Sequence, residues 1–447
     1  MSTTKQYQLK TALISSILFL SFAVSVSGTT ISAGVANEQD SLSLKQVIAL
    51  VISSHPTVKG AEEALKNADA RINLARTGYY PVVDAGANYS LLGPVTTITI
   101  PNMGSFQLYP SNNYSATVSV REAVYDFGRT KTNIGIENEN KAISEISLDQ
   151  IKQKMTLAAI NSFYTLAFLQ QAIRIMDDQL ATLQEHLKYI EALKATGSAT
   201  DFQVLSTRVK ISAAESQKTD LVASLAIQQA YLCALTGSSE KNIVVKEELN
   251  VAEPVMPGDS LLNYALNNRD EMSINREREA LAKLRYQLIQ NLNKPYINLI
   301  ASGGAKNGYL PNLNALKANY VVGLGISVPI FDGNKTKYNL QQAQSALSSL
   351  GFETEGAKRS ITTEVREAEE NVASAKQKVG QFSLQLEQAQ KAYSLAETSF
   401  RAGVVTNLEL LDANTTVSQS MLMLLKSKID YAASIYRLKS ATGQKLY

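Results

Sequence analysis

The 447-residue chain has no tryptophan, a single cysteine, two histidines and only ten prolines, and its charges nearly cancel. Each shortage excludes something. With Cys233 alone no disulfide can close within the chain, and none stands near the N-terminus to carry a lipid anchor. Cys233 lies beside Leu232 and Leu235 on an apolar helix face and is expected to be a small core residue. His55 precedes Pro56 at a helix break, and His186 stands one position before Leu187 and is expected at the surface. Neither sits in a metal-ligand pattern, and no phosphate-binding glycine loop or nucleophile elbow occurs. No enzymatic role, metal or cofactor is therefore expected. Acidic runs such as Glu367, Glu369 and Glu370 are expected to be solvated helix faces. The formal charge is +3. Setting aside Lys5 and Lys10, in a segment expected to be removed, leaves 41 basic against 40 acidic residues. A nucleic-acid partner wants a concentrated basic face, so none is expected.

Long apolar runs are almost absent. The one at the N-terminus, Thr11 to Val26, follows Lys5 and Lys10 and is followed by small residues, as in a signal peptide over 1–36. Cleavage after Gly28 and cleavage after Ala36 both fit. An uncleaved anchor is the alternative, but the run is short for a spanning helix. No other run of 18 or more apolar residues occurs, so no transmembrane helix is expected in the exported chain.

What the chain does contain is one unit used twice. Setting Asn113-Tyr114 on Asn319-Tyr320 gives an offset of 206. At that offset Asp126 falls on Asp332, Thr130 on Thr336, Lys131 on Lys337 and Asn133 on Asn339. Gly197 falls on Gly403, Thr200 on Thr406, and Thr236-Gly237 on Thr442-Gly443. Upstream the offset is 214, matching Pro81 to Pro295 and Arg71 to Arg285. The difference lies in the loops 92–112 and 303–318, where length changes are tolerated. The expected order is a first repeat over 37–237, a charged, proline-containing linker over 238–259 with a short strand at Asn242 to Lys246, and a second repeat over 260–447.

Proline is absent between Pro110 and Pro254 and after Pro329, which leaves room for long helices. Leu166, Leu169, Ile173, Met176, Leu180, Leu183, Leu187 and Ile190 recur at alternating steps of three and four. The same register in the second copy reads Val372, Ala375, Val379, Phe382, Leu386, Ala389, Tyr393 and Ala396. This is a coiled-coil seam, though a long helix in an ordinary bundle shares it. Helices are predicted over about 128–194 and 334–400, each about 100 Å long at about 1.5 Å per residue. Each ends at a glycine, Gly197 or Gly403, and returns through a second helix, roughly 203–236 and 408–441. Amphipathic helices are predicted over 42–79 and 261–294.

Before each long helix the period changes to two. Tyr114, Ala116, Val118 and Val120 alternate with Ser115, Thr117, Ser119 and Arg121; Tyr320, Val322, Leu324 and Ile326 alternate with smaller residues. Partner strands are predicted at Val83 to Leu91 and Ile297 to Gly303. Half-buried soluble strands look alike, but strands of this length with one apolar face also suit a membrane barrel. Tyr89, Tyr109, Tyr114, Tyr309 and Tyr320 near strand ends suit an interfacial belt, and equally an ordinary sheet. Four strands cannot close a barrel, and open edges are not tolerated in lipid. If these strands meet lipid, several chains must share one barrel.

Val124-Tyr-Asp-Phe-Gly-Arg129 and Val328-Pro-Ile-Phe-Asp-Gly333 at the strand–helix junctions resemble the TolC family of outer-membrane efflux proteins. So do Ala195-Thr-Gly-Ser-Ala-Thr200 and Phe400-Arg-Ala-Gly-Val-Val-Thr406, which leads into Leu410-Leu-Asp-Ala413. The resemblance covers essentially the whole mature chain. It implies a mainly α fold with membrane β-strands, and a homotrimer whose four strands per chain close a 12-stranded barrel in outer-membrane lipid. It implies a helical tunnel in the periplasm, docked to a periplasmic adaptor and an inner-membrane pump, and passive export in efflux or type I secretion. By position the family's adaptor-docking tips fall on Thr196, Gly197, Ser198, Ala402, Gly403, Val404 and Thr406. The acidic rings of the periplasmic aperture fall on Glu409 and Asp412. The junction residues are Asp126, Gly128, Asp332 and Gly333. Polar links that help hold the family's aperture closed have Gln203, Phe400 and Val405 at the corresponding positions here, so closure must be achieved differently.

Two other readings compete. A trimeric coiled-coil structural or adhesive surface protein would share the seam, but not strand hairpins within each half of a repeat. A periplasmic adaptor usually carries one helical hairpin, not two in matched register. The exported substrate is not written in the sequence.

Overall fold

A computed structural model describes residues 41–239, 242–249, 251 and 258–447. The expected signal peptide and part of the linker lie outside the described residues. Ser41–Tyr447 belong to one compact unit. No helix among the described residues is long and apolar enough to cross a membrane.

The first repeat runs α1 (Leu44–Ser54), α2 (Pro56–Arg76), β1 (Val82–Leu91), β2 (Thr97–Ile100), β3 (Gly104–Gln107), β4 (Asn112–Tyr125), α3 (Arg129–Ala195) and α4 (Asp201–Thr236). The second runs α5 (Gly258–Asn268), α6 (Asp270–Leu292), β5 (Tyr296–Lys306), β6 (Lys317–Ser327), α7 (Lys335–Arg401) and α8 (Asn407–Ala441). Both α3 and α7 have 67 residues, and both of their ends are related by 206 positions. The predicted amphipathic helices are each broken in two, because His55 and Arg269 take extended backbone angles. At the first break Pro56 accounts for the interruption, since proline disfavours the helical region for the residue before it. The expected strand at Asn242 to Lys246 reduces to a single bridge, Leu42 with Val245.

The heptad seam packs as the spacing predicts. Leu166, Leu169, Met176, Leu180, Leu183 and Ile190 are buried, and so are Val372, Ala375 and Ala389. Two mid-helix clusters hold the hairpins together. In one, Leu44, Val47 and Val51 of α1 pack with Ile160, Phe163 and Leu166 of α3, Leu232 of α4 and Ile429 of α8. Cys233 is half-buried against the same cluster. In the other, Ile361, Val365 and Val372 of α7 meet Ile435 and Leu438 of α8 and Met272 of α6.

At one end of the helices sits a four-stranded antiparallel sheet in the order β1-β4-β5-β6. Pairing of β4 with β5 joins the two repeats. Gly304 permits that pairing. A Cβ there would lie 2.0 Å from the Ala116 carbonyl oxygen, so no larger residue fits without moving the strands. The loop expected over 92–112 instead contains the β2–β3 hairpin, turning through Asn102 at φ 67° and Gly104 at φ 89°. Its four-residue strands are too short to announce themselves by alternation.

The sheet reverses the usual soluble pattern. Tyr114, Ala116 and Val118 of β4 are exposed, while Ser115, Thr117 and Ser119 between them are half-buried. Register carries this apolar face across the sheet. Ala85, Val118, Gly303 and Tyr320 lie in one row, and Val83, Val120, Ala301 and Val322 in another. Tyr320 is 83% exposed and Leu324 70%. Exposed apolar area of this extent marks a surface that meets protein or lipid.

Candidate functional site

Strand turns into helix by the same device in both repeats. Phe127 and Gly128 both have positive φ, and so do Gly333 and Asn334. Two successive left-handed residues reverse the chain before each long helix. Only one of each pair is glycine, and it sits in a different place, which explains why the motifs read Phe-Gly and Gly-Asn. The preceding aspartate then caps the helix. The Asp126 carboxylate accepts from Gly128 N at 2.9 Å and Thr130 N at 2.6 Å. Asp332 accepts from Thr336 N at 2.8 Å and from the Thr336 hydroxyl. Partial burial opposes the charge at Asp126, but hydrogen bonds from Thr130, Gly128 and Arg129 outweigh it and hold the carboxyl below the usual aspartate range. At Asp332 the Thr336 hydroxyl and N–H lower it. An anion here also suits the positive end of the helix dipole. The first junction carries an extra tie: Arg129 donates to the carbonyls of Asn291, Leu292 and Lys294, where α6 ends and β5 begins.

About 100 Å away, the hairpin tips also repeat. Ser198 N donates to Leu193 O at 2.8 Å and Gly197 N to Lys194 O at 2.9 Å. The second tip matches it: Val404 N to Ser399 O at 2.9 Å, Gly403 N to Phe400 O at 3.0 Å. This pair of bonds is the Schellman ending, and it needs a left-handed residue, supplied by Gly197 at φ 79° and Gly403 at φ 74°. Thr200 and Thr406 then start the returning helices in capping boxes with Gln203 and Glu409. Thr196, Gly197, Ser198, Ala402, Gly403, Val404 and Thr406 are all exposed at this end, Val404 to 78%.

The two carboxylates singled out in the sequence have local partners. Glu409 Oε2 accepts from Thr406 N at 2.7 Å and Thr406 Oγ1 at 2.9 Å, which hold its carboxyl below the usual glutamate range. Asp412 pairs across the tip with Lys210 of α4 at 2.9 Å. Both carboxylates are exposed.

His186 is not at the surface as expected. It is half-buried, with Nε2 2.7 Å from Asn407 Oδ1 and its ring 5.5 Å from that of Phe400, edge to face. Asn407 is only 3% exposed. Its Nδ2 lies 3.3 Å from Gln203 O, 3.2 Å from Ser206 Oγ and 3.3 Å from Thr207 Oγ1. One amide at the start of α8 thus touches α3 and α4 together. Sequence reasoning missed Asn407 and Lys210 and misplaced His186. A signal existed: all three break the repeat, the positions 206 away from Asn407, Lys210 and His186 being Asp201, Thr416 and Ala392. Asp201 instead pairs with Lys194 within its own hairpin.

A family profile described as outer membrane efflux protein matches residues 47–238 and 261–444. The chain is similar to the alkaline protease secretion protein AprF of Pseudomonas aeruginosa, 22% identical over 340 residues, covering 74% of this chain and 70% of AprF. It is similar to outer membrane protein TolC of Escherichia coli, 19% identical over 423 residues, covering 92% and 84%. The fold matches the crystal structure of the Campylobacter jejuni CmeC outer membrane channel with a TM-score of 0.75 at 14% identity, covering 94% of each chain.

Proposed function

Because the chain belongs to the outer membrane efflux protein family, we propose that three copies close one 12-stranded barrel in the outer membrane and extend a helical duct into the periplasm. The observation that carries this is the sheet. It exposes an apolar face, and its outer strands β1 and β6 have no partner on their far sides among the described residues. In lipid, such edges must be paired. Pairing β6 of one copy with β1 of the next satisfies both edges and leaves one continuous apolar face for the lipid. Three copies give the strand number that the family resemblance implies. The helices of about 100 Å then carry the lumen away from the membrane.

The duct is passive, and its energy comes from an inner-membrane pump reached through a periplasmic adaptor. The exposed tips around Gly197 and Gly403 suit that docking, since their shape is fixed by glycine and capping bonds rather than by packing. Related proteins are named for protease secretion as well as efflux, so both kinds of cargo fit. Lys210–Asp412 and the Asn407 contacts hold α8 against α4 and close the inner end in this protein. Glu409, which makes no ion pair among the described residues, places negative charge around that end and favours cations, while the charge of Asp412 is offset by Lys210. The alternative of a coiled-coil adhesive fibre gives no role to an apolar sheet with open edges. Purified protein should be trimeric by light scattering and should form ion channels in planar bilayers. A folded monomer without conductance would overturn the reading.

A further inference from the structure

The outer part of the sheet is almost devoid of charge, and its two exceptions face each other. Residues 85–120 contain no Asp, Glu, Lys, Arg or His, and 295–331 contain only Lys306 and Lys317. These two are direct cross-strand partners in β5 and β6, at the end of the sheet farthest from the helices. Like charges placed opposite one another are unfavourable. Nothing here offsets them: neither lysine makes an ion pair among the described residues. Lys306 Nζ rests 5.3 Å from the Tyr309 ring centroid, and Lys317 Nζ donates to Leu310 O at 3.1 Å. At the helix-side end the charges are mixed, with Arg121 paired to Asp84.

Register decides which side the lysines face. Lys306 is opposite both Ser115 and Lys317, and Gly304 opposite Thr117 and Asn319. The lysines therefore share the polar face with Ser115, Thr117, Ser119 and Arg121, not the apolar face of Val118, Tyr320 and Leu324. In a barrel whose apolar face meets lipid, the polar face lines the lumen.

We propose that Lys306 and Lys317 form a ring of positive charge at the outer mouth of the lumen that attracts small anions into the barrel. This rests on the trimeric barrel proposed above, in which two lysines per chain give six. Twelve strands about 4.8 Å apart and tilted by about 40° make a wall about 24 Å across. Each ammonium then lies within about 10 Å of the axis, which is about the Debye length at 0.1 M salt. Six such charges raise the anion concentration on the axis about fivefold at about 0.1 M salt, and less than about 1.2-fold at about 1 M. The outer mouth thus has the opposite sign to the exposed carboxylate of Glu409 at the inner end.

The test is the reversal potential of single channels in a KCl gradient, with inositol hexakisphosphate as a polyanion probe. Lys306→Gln/Lys317→Gln channels should move several-fold toward cation preference at low salt and lose block by the probe added from one side. The difference should vanish near 1 M salt. Lys306→Arg/Lys317→Arg should behave as the parent. Conducting Gln channels with unchanged selectivity and unchanged block would overturn the proposal while leaving the barrel intact. A parent protein that forms no channels would overturn the barrel reading itself.

Discussion

Replacing Asn407 by alanine should loosen the inner tip, and the size of the effect follows from its contacts. The amide makes one short contact, to His186, and three longer ones, to Gln203 O, Ser206 Oγ and Thr207 Oγ1. An NH2 group has two donors, so at most three of the four act as hydrogen bonds at once. At about 1 kcal/mol each, the loss of two or three such bonds amounts to about 2–3 kcal/mol. Thr207 stays satisfied, because its hydroxyl also donates to Gln203 O at 2.8 Å, and half-buried His186 can turn to water. By comparison, the exposed Lys210–Asp412 pair is worth about 0.2–1 kcal/mol. The amide is therefore the stronger of the two ties. If it is made only in the closed arrangement, its loss shifts the closed–open balance by about 30- to 150-fold. Single-channel recording in planar bilayers reads this as open probability. Asp201→Ala, at the matching site of the first repeat, breaks only a pair within one hairpin and should leave gating alone. Asn407→Ala channels that open no more than the parent would refute the assignment of Asn407 as a tie.

The junction aspartates predict a pH effect. Asp126 is held below its usual value, so the stability it adds is present above the unfolded aspartate value and is lost as pH falls through the folded one. Asp126→Ala should cost about 1 kcal/mol near neutral pH and flatten the acid limb of thermal melts followed by helical circular dichroism. An unchanged acid limb would remove the capping role. Gly304→Val should prevent β4–β5 pairing and abolish barrel assembly, measured as loss of trimer, whereas Gly303→Ala should assemble, since its Cβ would be 4.0 Å from the nearest atom. Gly197→Val and Gly403→Val force a left-handed turn on a branched residue at a cost of about 1–2 kcal/mol each. They should leave conductance intact and weaken cross-linking to a periplasmic adaptor; unaltered cross-linking would move the docking surface elsewhere.

Much of this was legible in the chain because it is encoded locally. A proline-free stretch with a three–four apolar seam defines a helix whatever surrounds it, and α3 and α7 lie within one residue of their predicted limits. A glycine fixed by a positive φ leaves its mark at the same offset in both copies, as Gly197 and Gly403 do. Strand alternation was equally plain in β4, but its meaning was not. Period two says that two faces differ, not which one is buried; only the pairing register, with Tyr320 and Leu324 left exposed, turned the apolar face outward. The β2–β3 hairpin escaped because four-residue strands hold too few turns of the pattern.

The sequence by itself determined the doubled scaffold: the seam, the glycine-ended tips, the capped junctions and the four principal strands. Each depends on residues only a few positions apart. Tertiary structure alone decided which side chains meet across elements. It took His186 off the surface and set it against Asn407, more than two hundred positions away, joined Lys210 to Asp412, and set Lys306 against Lys317 on the polar face. Such contacts depend on how two long helices or two strands are registered against each other. A shift of one residue would turn each side chain to another face.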